Sequence, residues 1–167
     1  WVDTFCNWIH EKKHRKIKVK IHKYDSWNAD GTLSLIIYPL LKQLQETKHG
    51  SPFVDDEDVP AHLRSTAAPP KANEWDTDTN HHLRWDWVLN EMIWAFEQHS
   101  RPDEGDEFWL ESPELDLDPK PEDVGQTTIP IRWKKEGVYL HEKAKEHEER
   151  KQRAFVLFGK YFRNLWD

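Results

Sequence analysis

Large aromatic side chains are the feature that most constrains how this 167-residue chain can fold. Hydrophobic residues make up only 37% of the sequence and charged residues 33%, but the chain holds 10 tryptophans, 7 phenylalanines and 4 tyrosines. A buried aromatic side chain removes about 150 to 250 Å² from water, so a few of them can supply most of a core. The sequence therefore predicts one domain with a core of few but large residues.

Cysteine content and hydropathy restrict where the protein can act. Cys6 is the single cysteine, so no intramolecular disulfide can form, and no apolar run approaches the roughly 18 residues of a membrane-spanning helix. We therefore expect an intracellular protein with no membrane partner. The chain begins at Trp1 rather than at methionine, which predicts that an upstream region is missing.

Apolar residues at helical spacing predict three core helices. The first spans about 30–48 and is kinked at Pro39, and the second spans about 80–99 and is capped by Asp78 or Thr79. The third spans about 135–166, starting at 135 or 138. Its first half is polar, so we expect that half to project into solvent or to meet a partner, while the second half docks on the core.

The N-terminal 24 residues combine an amphipathic helix with a basic strand. Trp1, Phe5 and Trp8 recur on one helical face, whereas residues 16–24 alternate between apolar and basic side chains as in a half-buried strand. We expect this strand to pair with a short strand near 128–133 or with a partner.

The remaining segments predict loops. Residues 51–79 are proline-rich and contain at most one short helix near 58–64, and residues 100–128 form a long acidic loop. The fold class expected is α+β, mainly α: a compact helical domain, 1–167, with an aromatic core, one basic N-terminal strand and long acidic loops.

Charge is strongly segregated along the chain, whose net charge is −7. Residues 1–23 hold 7 Lys or Arg against 2 acids, residues 51–128 hold 5 against 20, and residues 129–167 hold 10 against 6. The pattern favours basic ends that fold onto an acidic middle. The alternative is a basic face that remains free for a partner.

His10, Glu11 and His14 match the H-E-x-x-H pattern of zinc hydrolases. In that pattern two histidines one turn apart bind zinc, and the glutamate acts as general base on the bound water. Lys12 and Lys13 lie between them and would repel the cation. A solvated basic helix end is therefore the favoured interpretation, so we expect no cofactor, with zinc as the alternative.

Other chemical motifs are absent or incomplete. The glycines are too scattered for a phosphate-binding loop, and no serine lies in a G-x-S-x-G elbow. Asp76, Asp78 and Asn80 begin like a calcium loop, but His81 stands where its glycine should be and Trp87 where its glutamate should be. These patterns give no catalytic residue.

Three blocks of sequence resemble a known family: YDSWNADGTLSLIIYPLLKQLQETKHGSPFVDDEDVP at 24–60, NHHLRWDWVLNEMIWAFEQ at 80–98 and FGKYFRNLWD at 158–167. The chain resembles uncharacterised proteins of tailed bacteriophages, especially phages of marine bacteria and cyanobacteria. Members often carry histidine at the position of Gly31, which disfavours a metal site around Asp30 in this chain. The resemblance implies a viral origin and no particular activity.

The expected function is a non-catalytic phage protein that binds a host or phage macromolecule, or a small ligand, in the cytoplasm of the infected cell. A virion component that drives assembly and a zinc hydrolase are the alternatives. A host or phage protein is the expected partner and a homo-oligomer remains open, whereas the net negative charge opposes binding to nucleic acid. The candidate contact residues are Lys16, Lys18, Lys20, Trp27, Asp55, Asp56 and Asp58.

Overall fold

The computed structural model describes residues 20–118, 120, 123–125, 128 and 131–166. Within these ranges three α-helices are present: α1 (Ala29–Thr47), α2 (His81–Ser100) and α3 (His141–Lys160). The same ranges also contain four short strands: β1 (Trp109–Glu111), β2 (Glu114–Leu115), β3 (Trp133–Lys135) and β4 (Val138–Tyr139). The predicted class, mainly α within α+β, is confirmed.

Helix α2 lies at the centre of the fold and packs against both α1 and α3. Trp85, Val88, Leu89 and Met92 on its buried faces are all 0% exposed. The apolar stripe predicted for 80–99 is therefore the main core surface, since it meets a helix on each side.

The core is less rich in tryptophan than the sequence predicts. Trp85 is fully buried and packs edge-on against Tyr161, with 6.1 Å between ring centroids. Trp27 and Trp75, in contrast, are 94% and 85% exposed. Among the described residues, the other large hydrophobic side chains that are fully buried belong to leucine, methionine and valine rather than to tryptophan.

Helix α1 begins at its N-cap Asn28, whose side chain accepts a hydrogen bond from the Gly31 N–H at 3.3 Å, and it continues through Pro39. Its inner face buries Leu41, whereas Leu33 and Leu40 remain 53% and 57% exposed. The apolar stripe of α1 is therefore wider than the surface that α2 covers.

The cap expected at Asp78 or Thr79 differs from the observed one. Asn80 is the N-cap of α2 and makes no side-chain cap bond. Asp78 contributes differently, because its carboxylate accepts a hydrogen bond from the Asn80 N–H at 2.9 Å and pairs with Arg84 through two bonds of 2.7 and 2.9 Å. The buried Arg84 thus directs the carboxylate away from the usual cap geometry.

The C-terminal helix expected over 135–166 is shorter than predicted. It starts at His141, because β3 and β4 occupy 133–139, and it is followed by a 3₁₀ turn at Phe162–Asn164. Strand β4 pairs with β1 and β3 pairs with β2, both antiparallel. The acidic loop expected over 100–128 therefore contains two strands, and their partner strands follow it in the chain. Lys135 of β3 also forms an ion pair with Glu111 of β1 at 3.1 Å.

The polar half of α3 does not project freely. Arg150 forms two hydrogen bonds with Glu91 of α2, at 2.7 and 2.9 Å, and its guanidinium lies 3.9 Å from the ring centroid of Trp94. His147 packs against the same indole. Polar side chains therefore dock this half of α3 on α2. The sequence predicted instead that this half would project into solvent or meet a partner.

Two further local predictions are wrong or fall outside the described residues. The loop at 51–79 holds three 3₁₀ turns, Asp56–Asp58, Ala61–Leu63 and Ser65–Ala67, rather than one short helix. The basic strand was predicted for residues 16–24. Residues 16–19 lie outside the described part of the chain. From Lys20 to Tyr24 the chain forms irregular structure followed by a turn, not a strand. The Asp25 carboxylate closes that turn by accepting a hydrogen bond from the His22 N–H at 2.5 Å.

Candidate functional site

A groove runs between α1 and α3, with α2 as its floor. Its volume is about 660 Å³, within the range of small-molecule sites. Apolar side chains form most of its wall: Leu33, Ile37, Phe96, Phe155 and Phe158. The Phe96 ring lies 5.2 Å from that of Phe155 and 4.8 Å from that of Phe158, so three phenylalanines form a continuous aromatic surface.

One side of the groove is bordered by a chain of charged contacts, which we call the charge network: Asp30, His99, Glu104, Lys151 and Glu148. His99 Nε2 donates to Asp30 Oδ2 at 2.9 Å, and His99 Nδ1 lies 3.2 Å from Glu104 Oε2. Lys151 Nζ donates to Glu104 and lies 2.9 Å from Glu148 Oε2.

Helix geometry explains why these charges converge. Asp30 lies in the first turn of α1 and His99 in the last turn of α2, where the helix dipoles favour an acid and a base respectively. Glu148 and Lys151 are three residues apart and so share one face of α3. The packing of α1 and α3 on α2 brings the two helix ends and this face together.

The interior of the charge network is buried while its ends are open. The Lys151 side chain is 7% exposed, whereas those of Asp30 and Glu148 are 69% and 51% exposed. Burial opposes the charge on Lys151, but hydrogen bonds to Glu104 and Glu148 outweigh it, so the pKa of Lys151 is raised. The hydrogen bond from His99 lowers the pKa of Asp30.

The polar groups of the groove are arranged for binding more than for covalent chemistry. Ser34 lines the groove, but it is 1% exposed and its hydroxyl donates to the Asp30 carbonyl oxygen at 2.9 Å. Both ring nitrogens of His99 face carboxylates, so the histidine does not form a pair with this hydroxyl. Among the residues that the structure describes, no group of three or more His, Cys, Asp or Glu side chains is arranged to hold a metal ion.

The acidic run, residues 55–58, supplies three of the predicted contact residues and is largely engaged with the end of α3. Lys160 Nζ lies 2.8 Å from Asp55 and 2.6 Å from Asp58. The Tyr161 hydroxyl donates to Asp58 at 2.5 Å and accepts from the Asp55 N–H at 3.0 Å.

Asp56 is held from within the same loop. It accepts hydrogen bonds from the Ser65 N–H at 2.7 Å and from the Ser65 hydroxyl at 2.5 Å. These bonds lower the pKa of Asp56. The acidic run therefore has a structural role that its sequence did not reveal, because its partners lie 9 or more than 100 positions away.

The other predicted contact residues do not form a recognisable site. Lys20 and Trp27 are exposed, and Trp27 is followed directly by the N-cap of α1. Lys16 and Lys18 lie outside the described residues, and so do His10, Glu11 and His14 of the zinc motif.

Sequence reasoning missed most of the groove. The spacing of Phe155 and Phe158 indicated a core face, but nothing linked that face to Asp30. One signal was present in Lys151, which lies on the same helical face as Phe155 and Phe158 and is therefore directed toward the packed side of α3. A lysine there requires acidic partners, and Glu104 supplies one from the loop after α2.

No described helix combines the length and the apolar character needed to cross a membrane. Comparisons of the chain with protein-family models, with curated proteins and with solved structures gave no significant match.

Proposed function

We propose that this chain is a bacteriophage protein that acts in the infected host cell as a non-catalytic binding protein, and that the groove between α1 and α3 is its ligand site. The viral origin is supported by the three sequence blocks that resemble phage proteins. The binding role is supported by one structural observation: an aromatic groove that is bordered by a charge network with a buried lysine.

The groove has the two parts that a specific site requires. Its phenylalanine surface offers favourable burial of apolar area, at roughly 25 cal/mol per Å². The charge network offers a small number of fixed polar groups, which orient a ligand. Lys151 is held between Glu104 and Glu148, so these polar groups are positioned before a ligand arrives.

A small ligand fits this groove better than a large partner surface does. The volume of about 660 Å³ corresponds to a drug-sized molecule. The groove is also confined between two helices, whereas a macromolecular interface requires a contiguous area of about 800 Å² per partner. Of the partners expected from the sequence, we therefore propose the small ligand.

A fragment screen by NMR tests this proposal. The full chain is labelled with ¹³C in its methyl and aromatic groups and is titrated with a small library of apolar fragments of mixed charge. Fragments are expected to shift the signals of Phe155, Phe158 and Ile37 together.

A pair of exposed leucines on α1 provides the matched control. Leu33, 53% exposed, lines the groove, whereas Leu35, 63% exposed, does not. Leu33→Lys is expected to weaken fragment binding at least about ten-fold, because it places a charge against the apolar wall, and Leu35→Lys should leave it unchanged. Equal binding by both variants, or the absence of groove shifts throughout the library, would show that the groove is not a ligand site.

A further inference from the structure

The charges around the groove specify the kind of ligand. The charge network holds three carboxylates against one lysine and one histidine: Glu104 and Glu148 contact Lys151, and Asp30 contacts His99. The whole chain carries a net charge of −7. The lysine is buried and already contacts Glu104 and Glu148. A ligand that enters the groove therefore meets exposed carboxylate oxygens rather than an available cation.

We infer that the groove selects an organic cation, a ligand with a ring-sized apolar body and an ammonium group that binds the exposed carboxylates of Asp30 and Glu148. This inference rests on the proposed function and names its ligand class.

Three physical features favour this ligand. An ammonium group carries three donors, and Asp30 and Glu148 are the most exposed carboxylates of the charge network. Hydrogen bonds between two charged groups are about twice as strong as those between neutral ones. The faces of the phenylalanine rings also attract a cation within about 6 Å.

An anionic ligand would be opposed at the same position. Its charge would approach Asp30 and Glu148, and to pair with Lys151 it would have to displace Glu104 or Glu148. Separating such a buried pair leaves a charge without its partner, which is strongly unfavourable.

Three probes with the same ring and linker but different charge test the inference on the full chain. They are 2-phenylethylamine, 2-phenylethanol and 3-phenylpropanoate, and binding is read from the NMR signals of Phe155, Phe158 and Leu33. We expect the amine to bind about ten-fold more tightly than the alcohol, and the propanoate to bind most weakly.

Variants locate the charge that is responsible. Glu148→Gln and Asp30→Asn should each weaken amine binding about three- to ten-fold while leaving alcohol binding unchanged. Glu149→Gln removes a charge from the exposed neighbouring position on α3 and should have no effect.

The outcomes separate this inference from the proposed function. If the three probes bind equally at the groove, the cation preference is wrong and the ligand site stands. If none shifts the groove signals, both proposals fail. If the amine shifts only the signals of the acidic run, its binding is non-specific electrostatic attraction. If the Phe158 ring contacts residues 1–19 or a second copy of the chain, protein fills the groove. Either result overturns the inference.

Discussion

Two acidic regions of this molecule differ in what surrounds them. The acidic run at 55–58 borders one space lined by polar side chains, including Arg64 and Thr66, and through Glu57 and Asp58 it also reaches a second groove beside Trp87. The charge network, in contrast, borders a groove with three phenylalanine rings. Exposure does not separate the two regions, because the Asp55 side chain is 64% exposed and that of Asp30 is 69% exposed.

The difference shows which acidic cluster can select a ligand. A carboxylate with only water and cations around it attracts any counterion, and exposed pairs of this kind contribute roughly 0 to 1 kcal/mol. A carboxylate beside an apolar wall can add orientation to the burial of a hydrophobic body. Asp55 and Asp58 of the acidic run already pair with Lys160 at the end of α3. The acidic run is therefore best understood as scaffold and the charge network as the candidate site, and four predictions test this division.

The largest effect is expected when the scaffold loses Asp78. Arg84 is 4% exposed and forms two hydrogen bonds with this carboxylate. Within the described part of the chain, Asp78→Ala leaves the buried guanidinium with only Asp56, at 3.9 Å, as a charged partner. We expect the free energy of unfolding in urea to fall by about 3 kcal/mol.

The matched control for that variant is Asp76→Ala, which removes an exposed carboxylate from the same segment. It should change the free energy of unfolding by less than about 0.5 kcal/mol. An equal loss in both variants would mean that the effect comes from the loop and not from the buried pair.

Acid should lower the free energy of unfolding through the same pair, Asp78 and Arg84. The hydrogen bonds from Arg84 lower the pKa of Asp78 from 3.8 to about 2. Stability from this shift is fully present above pH 4 and is lost as the pH falls through 2, because the unfolded chain takes up the proton first. The wild-type protein should lose on the order of 2 kcal/mol more than Asp78→Ala over this range, as measured by urea unfolding at each pH. Parallel pH profiles for the two proteins would contradict the assignment.

Tyr161→Phe should have a smaller effect. The hydroxyl donates to Asp58 and accepts from the Asp55 N–H, and burial together with the Asp58 bond raises the pKa of Tyr161 to about 12. Loss of the hydroxyl should lower the free energy of unfolding by about 1 to 2 kcal/mol. Binding of 2-phenylethylamine should not change. A loss of binding would show that the acidic run contributes to the ligand site and is not scaffold alone.

The smallest effect is expected at the edge of the short strands. Lys135 pairs with Glu111 at 3.1 Å, and both side chains are about half exposed. Lys135→Ala should change the melting temperature by no more than the equivalent of about 0.5 kcal/mol. A larger loss, checked by calorimetry against Lys134→Ala, would show that this contact between β3 and β1 contributes to the scaffold more than its exposure suggests.

The sequence predicted the helices better than the contacts between them. The apolar periods of 30–48 and 80–99 were sufficient to place α1 and α2 within a few residues, because burial on one face imposes a repeat of 3.6 residues. The start of α3 was predicted too early. Residues 133–139 form strands because partners at 109–115 supply hydrogen bonds, and a local pattern does not contain that information.

The candidate site illustrates the same limit. Asp55 and Asp58 stood out as part of a run of acids, but their distant partners Lys160 and Tyr161 account for them. Asp56 of the same run is held by Ser65. Neither His99 nor Glu104 was predicted to belong to a site, because each is an ordinary polar residue in its local sequence context.

The sequence by itself determined the class of fold and the helical stripe of 80–99 that forms the main core surface. It also indicated a basic C-terminal part that pairs with the acidic middle, as Lys160 does with Asp55 and Asp58. Only the tertiary structure decided which charges meet, which tryptophans are buried and where a groove remains. The physical reason is range: helical periodicity is set by neighbours within one or two turns, whereas Asp30, His99 and Lys151 come together only when three separately specified helices pack.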